Sequence, residues 1–322
     1  MSQKVLVTRE IPDAGLRLLE DFDVTTLRGE PPDPTELLEA VTNSEAILCT
    51  VSETIDDEVM DAAGENLKII ANMAVGYDNV DVVAATERGI TVTNTPGILE
   101  ETTADTAFML LLAAARRLGE AERFLRAGKW EAWGPKQFIG PDVWSKTLGI
   151  IGFGGIGQAV ARRARGFGID ILYTARSRKQ DAEKELKARK VELEELLRKS
   201  DFVSIHTPLT DETRHLICEK ELNSMKSTAV LVNTSRGPVV DEAALAEVIE
   251  NGSIFAAGLD VYEEEPKVHP KLLELENVVL APHIGSASIE TRDKMAVLAA
   301  ENLRAVLNGE KPPNLVNTKV LE

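Results

Sequence analysis

At 322 residues, with 43% hydrophobic content, the chain is long enough for two cores, and its two isolated cysteines, Cys49 and Cys218, exclude a disulfide scaffold. A formal net charge of −17 argues against nucleic acid or an anionic membrane as a partner, so an anionic ligand would need a local cation and backbone N–H groups. No apolar run approaches the roughly 20 residues of a membrane span, and Met1-Ser2-Gln3-Lys4 leads straight into strand-like Val5-Leu6-Val7, so a cytoplasmic location is expected.

Short apolar runs alternate with helical patterns from the outset. Strands are predicted at 5–7, 46–48, 67–70 and 90–92, and a helix over 34–41 that Asp33 caps and Pro34 opens. This alternation predicts a parallel α/β sheet. Asn94-Thr95-Pro96-Gly97 is a strong break. Residues 102–126 then read as one long helix, apolar nearly all round through Met109-Leu110-Leu111-Leu112-Ala113-Ala114-Ala115. It is expected to be buried between domains or against another subunit. The stretch 128–141, with Trp130, Trp133 and two prolines, reads as a loop. Helix and loop together carry more apolar surface than one subunit is expected to bury, which predicts a homodimer.

The stretch 147–178 organises the remainder. An apolar run, Leu148-Gly149-Ile150-Ile151, turns through Gly152-Phe153-Gly154-Gly155-Ile156-Gly157 and enters a helical pattern. A second apolar run follows at 169–173. In this strand–turn–helix context G-x-G-x-x-G predicts a dinucleotide site. Gly152 allows the tight turn, Gly154 lets the backbone approach a pyrophosphate, and Gly157 lets the helix pack on the strand. Phe153, Gly154, Gly155 and Ile156 are then the residues that meet the pyrophosphate at the helix N-terminus. NAD sites usually place an acid at the end of the next strand to hold the ribose 2′-hydroxyl. Here the run is Thr174-Ala175-Arg176-Ser177-Arg178-Lys179, with no acid before Asp181. Such a run suits a 2′-phosphate held at Ala175, Arg176 and Ser177, so NADP is the preferred cofactor and NAD the alternative.

Further strands are predicted at 202–205, 229–232, 255–259 and 278–280, and helices at 193–199, 241–250 and 289–307. Counted from Thr147 this makes six strands, as two mononucleotide-binding halves require. The predicted fold is α/β with two doubly wound parallel-sheet domains, a Rossmann cofactor domain inserted into a flavodoxin-like substrate domain. The expected division is 1–100 plus 286–322 for substrate and 101–285 for dinucleotide.

In such sheets ligands lie beyond the C-terminal strand ends. Three ends carry chemistry: Asn233-Thr234-Ser235-Arg236-Gly237, Asp260-Val261-Tyr262-Glu263-Glu264-Glu265-Pro266 and Ala281-Pro282-His283-Ile284-Gly285. A cation, a carboxylate and a histidine form the set that carbonyl reduction needs. Two of the three glutamates at 263–265 read as a solvated face. His206 is expected to line the cofactor cleft without chemistry, and His215 and His269 to be structural or surface residues. Four histidines so dispersed assemble no metal site.

These segments, with Ala74-Val75-Gly76-Tyr77-Asp78-Asn79-Val80-Asp81 and Thr93-Asn94-Thr95-Pro96-Gly97, resemble the D-isomer-specific 2-hydroxyacid dehydrogenases over nearly the whole chain, most closely the glyoxylate/hydroxypyruvate reductases. The resemblance implies reduction of a small 2-oxo acid to the 2-hydroxy acid. It implies that Arg236 binds the substrate carboxylate and carbonyl, that Glu265 pairs with His283, and that His283 donates the proton as hydride arrives from the nicotinamide. It further implies that Val75 and Gly76 offer N–H groups to the carboxylate. Thr103, Thr207, Thr234, Ser235, Arg236, Asp260, His283 and Gly285 would face the cofactor. It also implies that Trp133 of one subunit reaches its neighbour's site. Dehydrogenation of 3-phosphoglycerate and a nucleotide-sensing corepressor role are the alternatives.

Overall fold

The protein was described from a computed structural model covering residues 2–29 and 31–321. It divides into two compact units, Met1–Leu99 with Ala287–Glu322, and Glu100–Ser286.

The first unit holds β1 (Lys4–Val7), β2 (Asp23–Thr26), β3 (Ala46–Cys49), β4 (Ile69–Asn72) and β5 (Thr91–Thr93). Their order is β2-β1-β3-β4-β5, parallel throughout, which is the flavodoxin-like winding. β3 and β4 are buried at every position, as strands covered on both faces must be. β2 was not expected. Its sequence Asp23-Val24-Thr25-Thr26 alternates exposed and half-buried residues at the sheet edge, so no apolar run marks it. Helix Pro34–Val41 starts as expected, with the Asp33 carboxylate accepting the Glu36 N–H at 2.9 Å. Helix Ile289–Leu307 returns to this unit and packs on β3, β4 and β5.

The second unit holds β6 (Thr147–Ile151), β7 (Asp170–Thr174), β8 (Ala188–Lys190), β9 (Phe202–Ile205), β10 (Val230–Asn233), β11 (Ala256–Leu259) and β12 (Val278–Leu280). The order β12-β11-β10-β9-β6-β7-β8 is parallel, and the winding reverses between β6 and β9. The sheet therefore has seven strands where six were predicted. The addition is β8, a three-residue edge strand with two charged side chains. Along β10, Val230 and Val232 enter one core while Leu231 enters the core on the opposite face. Burying each such side chain contributes roughly 1.5–3 kcal/mol.

The long helix predicted over 102–126 is two helices, Glu100–Ala115 and Leu118–Arg126. The chain breaks at Arg117, which adopts φ +53°. There its guanidinium grips Glu120 through two 2.8 Å bonds and lies over the Phe138 ring. Within its unit the first helix packs against β10–β12 and helix Gly155–Arg165. Gly258 permits this approach, since a Cβ there would sit 2.9 Å from Leu110 Cβ. Helix Leu118–Arg126 buries none of its residues.

Candidate active site

The glycine turn is built as the sequence requires. Gly152 has φ +90°, and a Cβ there would sit 2.4 Å from the His206 carbonyl oxygen. A Cβ on Gly157 would sit 2.2 Å from the Gly152 carbonyl oxygen, so only glycine lets the helix close onto the turn. Gly154 caps helix Gly155–Arg165, and a Cβ on it would meet nothing within 4 Å. This open side, at the end of a helix whose first N–H groups lack helical partners, is a cradle that fits a pyrophosphate. Ile156 is half-buried in the first turn. The Phe153 side chain is buried instead, stacked on Tyr173 with centroids 4.1 Å apart, so only its backbone can serve a ligand.

At the end of β7, Ala175 is half-buried while Arg176 and Ser177 are exposed. The absence of a nearby acid, expected from sequence, does not hold in space. Glu183 on the following helix accepts Arg178 Nε at 2.9 Å and the Tyr173 hydroxyl at 2.8 Å. At the end of β9, Thr207 is half-buried, and His206 Nε2 pairs with Ser204 Oγ at 2.8 Å. Burial pushes the His206 imidazole down to about 3, which keeps it neutral behind the glycine turn.

Beyond β10 the chain turns around buried Asn233. Its amide donates to the Arg236 carbonyl at 2.9 Å and its oxygen accepts the Ser235 N–H and hydroxyl at 3.1 and 2.9 Å. This Asx turn fixes where Arg236 leaves the strand. Arg236 Nη1 donates to the Ser235 carbonyl at 2.8 Å. Thr234 Oγ1 is buried without a hydrogen-bond partner, a polar atom that a ligand can satisfy.

His283 Nδ1 lies 2.8 Å from Glu265 Oε2, and Glu265 Oε1 accepts the Tyr262 N–H at 3.0 Å. Asp260, 1% exposed, clamps the histidine loop with both carboxylate oxygens. Oδ1 accepts the Ile284 N–H and Oδ2 the Gly285 N–H, each at 2.7 Å, while its carbonyl accepts the His283 N–H at 2.9 Å. Burial pushes the Asp260 carboxyl above its ordinary value, against the lowering effect of these donors. Thr103 lies beside Gly285, where a Cβ would be 3.4 Å from Thr103 Cγ2. Glu263 is not the solvated residue expected. It accepts the Glu242 N–H at 2.8 Å and pairs with His215 at 2.9 Å, while Glu264 is exposed.

In the first unit, Val75 and Gly76 follow β4. Their carbonyls accept amides from Asn94 at 2.8 Å and Asn72 at 2.9 Å, which fixes both peptide planes. Asn79 ties this loop to the one before it by donating to the Thr50 and Glu53 carbonyls at 2.8 and 3.0 Å. The roles of these asparagines, like that of Asn233, were missed from sequence. For Asn72, Asn94 and Asn233 a position just after a predicted strand was the available signal, and Asn79 carried none. Among the described residues no group of three or more His, Cys, Asp or Glu side chains is placed to hold a metal, and no helix is long and apolar enough to cross a membrane.

The model of the D-isomer specific 2-hydroxyacid dehydrogenase NAD-binding domain matches residues 108–285. The chain belongs to the D-isomer specific 2-hydroxyacid dehydrogenase family. As a member it is an oxidoreductase, and the second unit contains its NAD(P)-binding domain. Among relatives, the glyoxylate reductase of Korarchaeum cryptofilum is 55% identical, covering 100% of this dehydrogenase and 98% of that one. The TT0316 protein of Thermus thermophilus superposes with a TM-score of 0.92 at 47% identity, over 98% of this chain and 100% of that one. An NADPH-dependent glyoxylate/hydroxypyruvate reductase from Sinorhizobium meliloti, solved with NADP and malonate, superposes at 0.87 with 36% identity, over 99% and 98% of the two chains.

Proposed function

We propose that this dehydrogenase reduces glyoxylate or hydroxypyruvate to the 2-hydroxy acid, with NADPH preferred over NADH. The observation that carries the reading is the His283–Glu265 pair at 2.8 Å, held on a loop that Asp260 clamps. With Nδ1 committed to Glu265, Nε2 is the ring nitrogen left to hold the proton that the carbonyl oxygen receives. Glu265 orients the ring through the 2.8 Å contact at Nδ1. Arg236, its backbone held by the Asn233 turn, is the forked cation for the substrate carboxylate and carbonyl. Val75 and Gly76, on the loop that Asn72 and Asn94 hold, are the residues of the first unit assigned to substrate binding.

Bound NAD(P)H supplies the hydride. Phe153, Gly154, Gly155 and Ile156 would hold its pyrophosphate through backbone, and Thr103, Thr207, Thr234, Ser235, Asp260 and Gly285 would face the rest of it. The cradle at Gly154 and the unpartnered Thr234 hydroxyl both fit that group. Preference for NADPH is supported by Arg176 and Ser177, exposed at the end of β7, and by the relative solved with NADP. The exposed apolar residues Leu118, Leu125, Trp130, Trp133, Ile139 and Trp144 support a homodimer formed through this region.

The test is a scan of 2-oxo acids against the purified enzyme with each cofactor. Glyoxylate or hydroxypyruvate should show the highest kcat/KM, and NADPH should exceed NADH. A higher kcat/KM for a bulkier or phosphorylated 2-oxo acid would displace the substrate assignment.

A further inference from the structure

The loop after β7 is closed by one buried phenol. Tyr173 is 0% exposed and stacks on Phe153 of the glycine turn. Its hydroxyl accepts the Lys179 N–H at 2.9 Å and donates to Glu183 Oε1 at 2.8 Å. Residues 174–179 are thus pinned at both ends, by the pairing of β7 with β6 and by the phenol. Glu183, on helix Gln180–Leu186, takes Arg178 Nε on both oxygens, at 3.1 and 2.9 Å. The Glu183 side chain is 11% exposed and that of Arg178 65%. The Tyr173 hydroxyl and Arg178 hold the Glu183 carboxyl below the usual carboxylate range, so it is charged at neutral pH.

The run that reads as basic in one dimension is therefore partly neutralised in three. Of Arg176, Arg178 and Lys179, Arg178 already faces a largely buried carboxylate. A 2′-phosphate brought to this loop meets the field of that carboxylate and must compete with it for Arg178. NADH, which lacks the phosphate, meets neither cost.

Building on the NAD(P)H reading above, we propose that Glu183 is a cofactor-specificity residue: paired with Arg178 and anchored by Tyr173, it restrains NADPH preference and leaves Arg176 as the cation that separates the two cofactors. Glu183→Gln isolates the charge, because the amide oxygen can still accept the Tyr173 hydroxyl while Arg178 is released. The ratio of kcat/KM for NADPH over NADH should rise about three- to tenfold, less than a full charge-assisted contact because the Arg178 side chain is 65% exposed. Arg178→Ala should move that ratio by less than about twofold in the wild-type background and should abolish the gain in the Glu183→Gln background.

The same comparison is made without turnover by calorimetric binding of adenosine 2′,5′-bisphosphate against 5′-AMP. An unchanged or lowered preference in Glu183→Gln by both measures overturns the proposal. So does an Arg178→Ala loss as large in the wild type as in the variant. If the wild type prefers NADH and Glu183→Gln still shifts toward the 2′-phosphate, the assignment of NADPH fails while the role of Glu183 stands. If both cofactors lose affinity equally, Glu183 only supports the loop and the proposal is refuted.

Discussion

Replacing Asp260 with Asn tests whether the clamp on the histidine loop matters to catalysis. His283 has φ +54°, a left-handed conformation that costs a residue with a Cβ about 1–2 kcal/mol. The Asp260 carboxylate offsets this with two N–H bonds at 2.7 Å, each charge-assisted and worth roughly 1.5–3 kcal/mol. Asparagine preserves the shape but offers one oxygen, so its NH2 group faces the other backbone N–H, donor against donor. The net loss should be roughly 1–3 kcal/mol. If it is expressed in the placement of His283, kcat should fall roughly five- to a hundredfold, with a smaller change in KM.

The pH profile supplies an independent readout. The Asp260 carboxyl is raised by burial, so on acidification it takes up its proton earlier than an ordinary aspartate. One oxygen then stops accepting, and turnover should fall on the acid side at that point. The stability contribution of the same group has the opposite sign. A raised folded-state value means that protonation favours the fold, so this contribution is greatest below the ordinary Asp value and declines as pH rises through the raised one. Steady-state kinetics and thermal melts across pH, on wild type and Asp260→Asn, separate the two. A kcat within twofold of wild type and an acid limb that persists in the variant would refute the reasoning.

His283→Ala should lower kcat by about 10²–10⁴-fold, the usual worth of a positioned acid; near-normal turnover removes His283 from the reaction. Arg236→Ala should raise KM for the 2-oxo acid strongly and lower kcat as well, and an effect on cofactor KM alone would place Arg236 elsewhere. Arg176→Ala should cut kcat/KM for NADPH about tenfold or more, from a lost contact of roughly 1.5–3 kcal/mol, with NADH nearly spared. An equal loss with both cofactors counts against the 2′-phosphate role. Light scattering at micromolar concentration should give twice the subunit mass, and Trp133→Glu, at a side chain 78% exposed, should reduce it; a wild-type monomer ends the dimer proposal.

What could be read from the sequence follows from where the signal is local. β6, β9 and β10 are runs of apolar residues covered on both faces, and the glycine turn needs glycine for contacts within a few residues or with the adjacent strand end. Both are therefore visible one residue at a time. β2 and β8 are edge strands whose polar side chains carry no apolar pattern, and pairing with an inner neighbour alone makes them strands. The break at Arg117 falls on a residue that does not announce it, since the nearby Gly119 lies inside the following helix. It depends partly on Phe138, about twenty residues on, and so is a tertiary fact.

The candidate site divides along the same line. Arg236, Glu265 and His283 stand at strand ends, where topology guarantees exposure toward a ligand, so the residue types themselves are informative. The residues that hold them are polar and buried, and their partners are set by folding. Asn233 restrains Arg236, Asp260 restrains His283, and Glu183 restrains Arg178. In one dimension each reads as an ordinary polar residue of a turn, a strand end or an exposed helix. Glu263 shows the cost of that ambiguity most clearly. Identical in type to its two neighbours, it bonds to His215 and the Glu242 N–H, while Glu264 remains exposed and Glu265 takes His283. Three consecutive carboxylates thus have three environments because successive side chains in a turn point in different directions. The electrostatics of such a site must therefore be argued from partners in space. The same reasoning makes a basic run, by itself, an incomplete argument for a phosphate: the carboxylate that decides the balance can lie one helix turn further on, as Glu183 does.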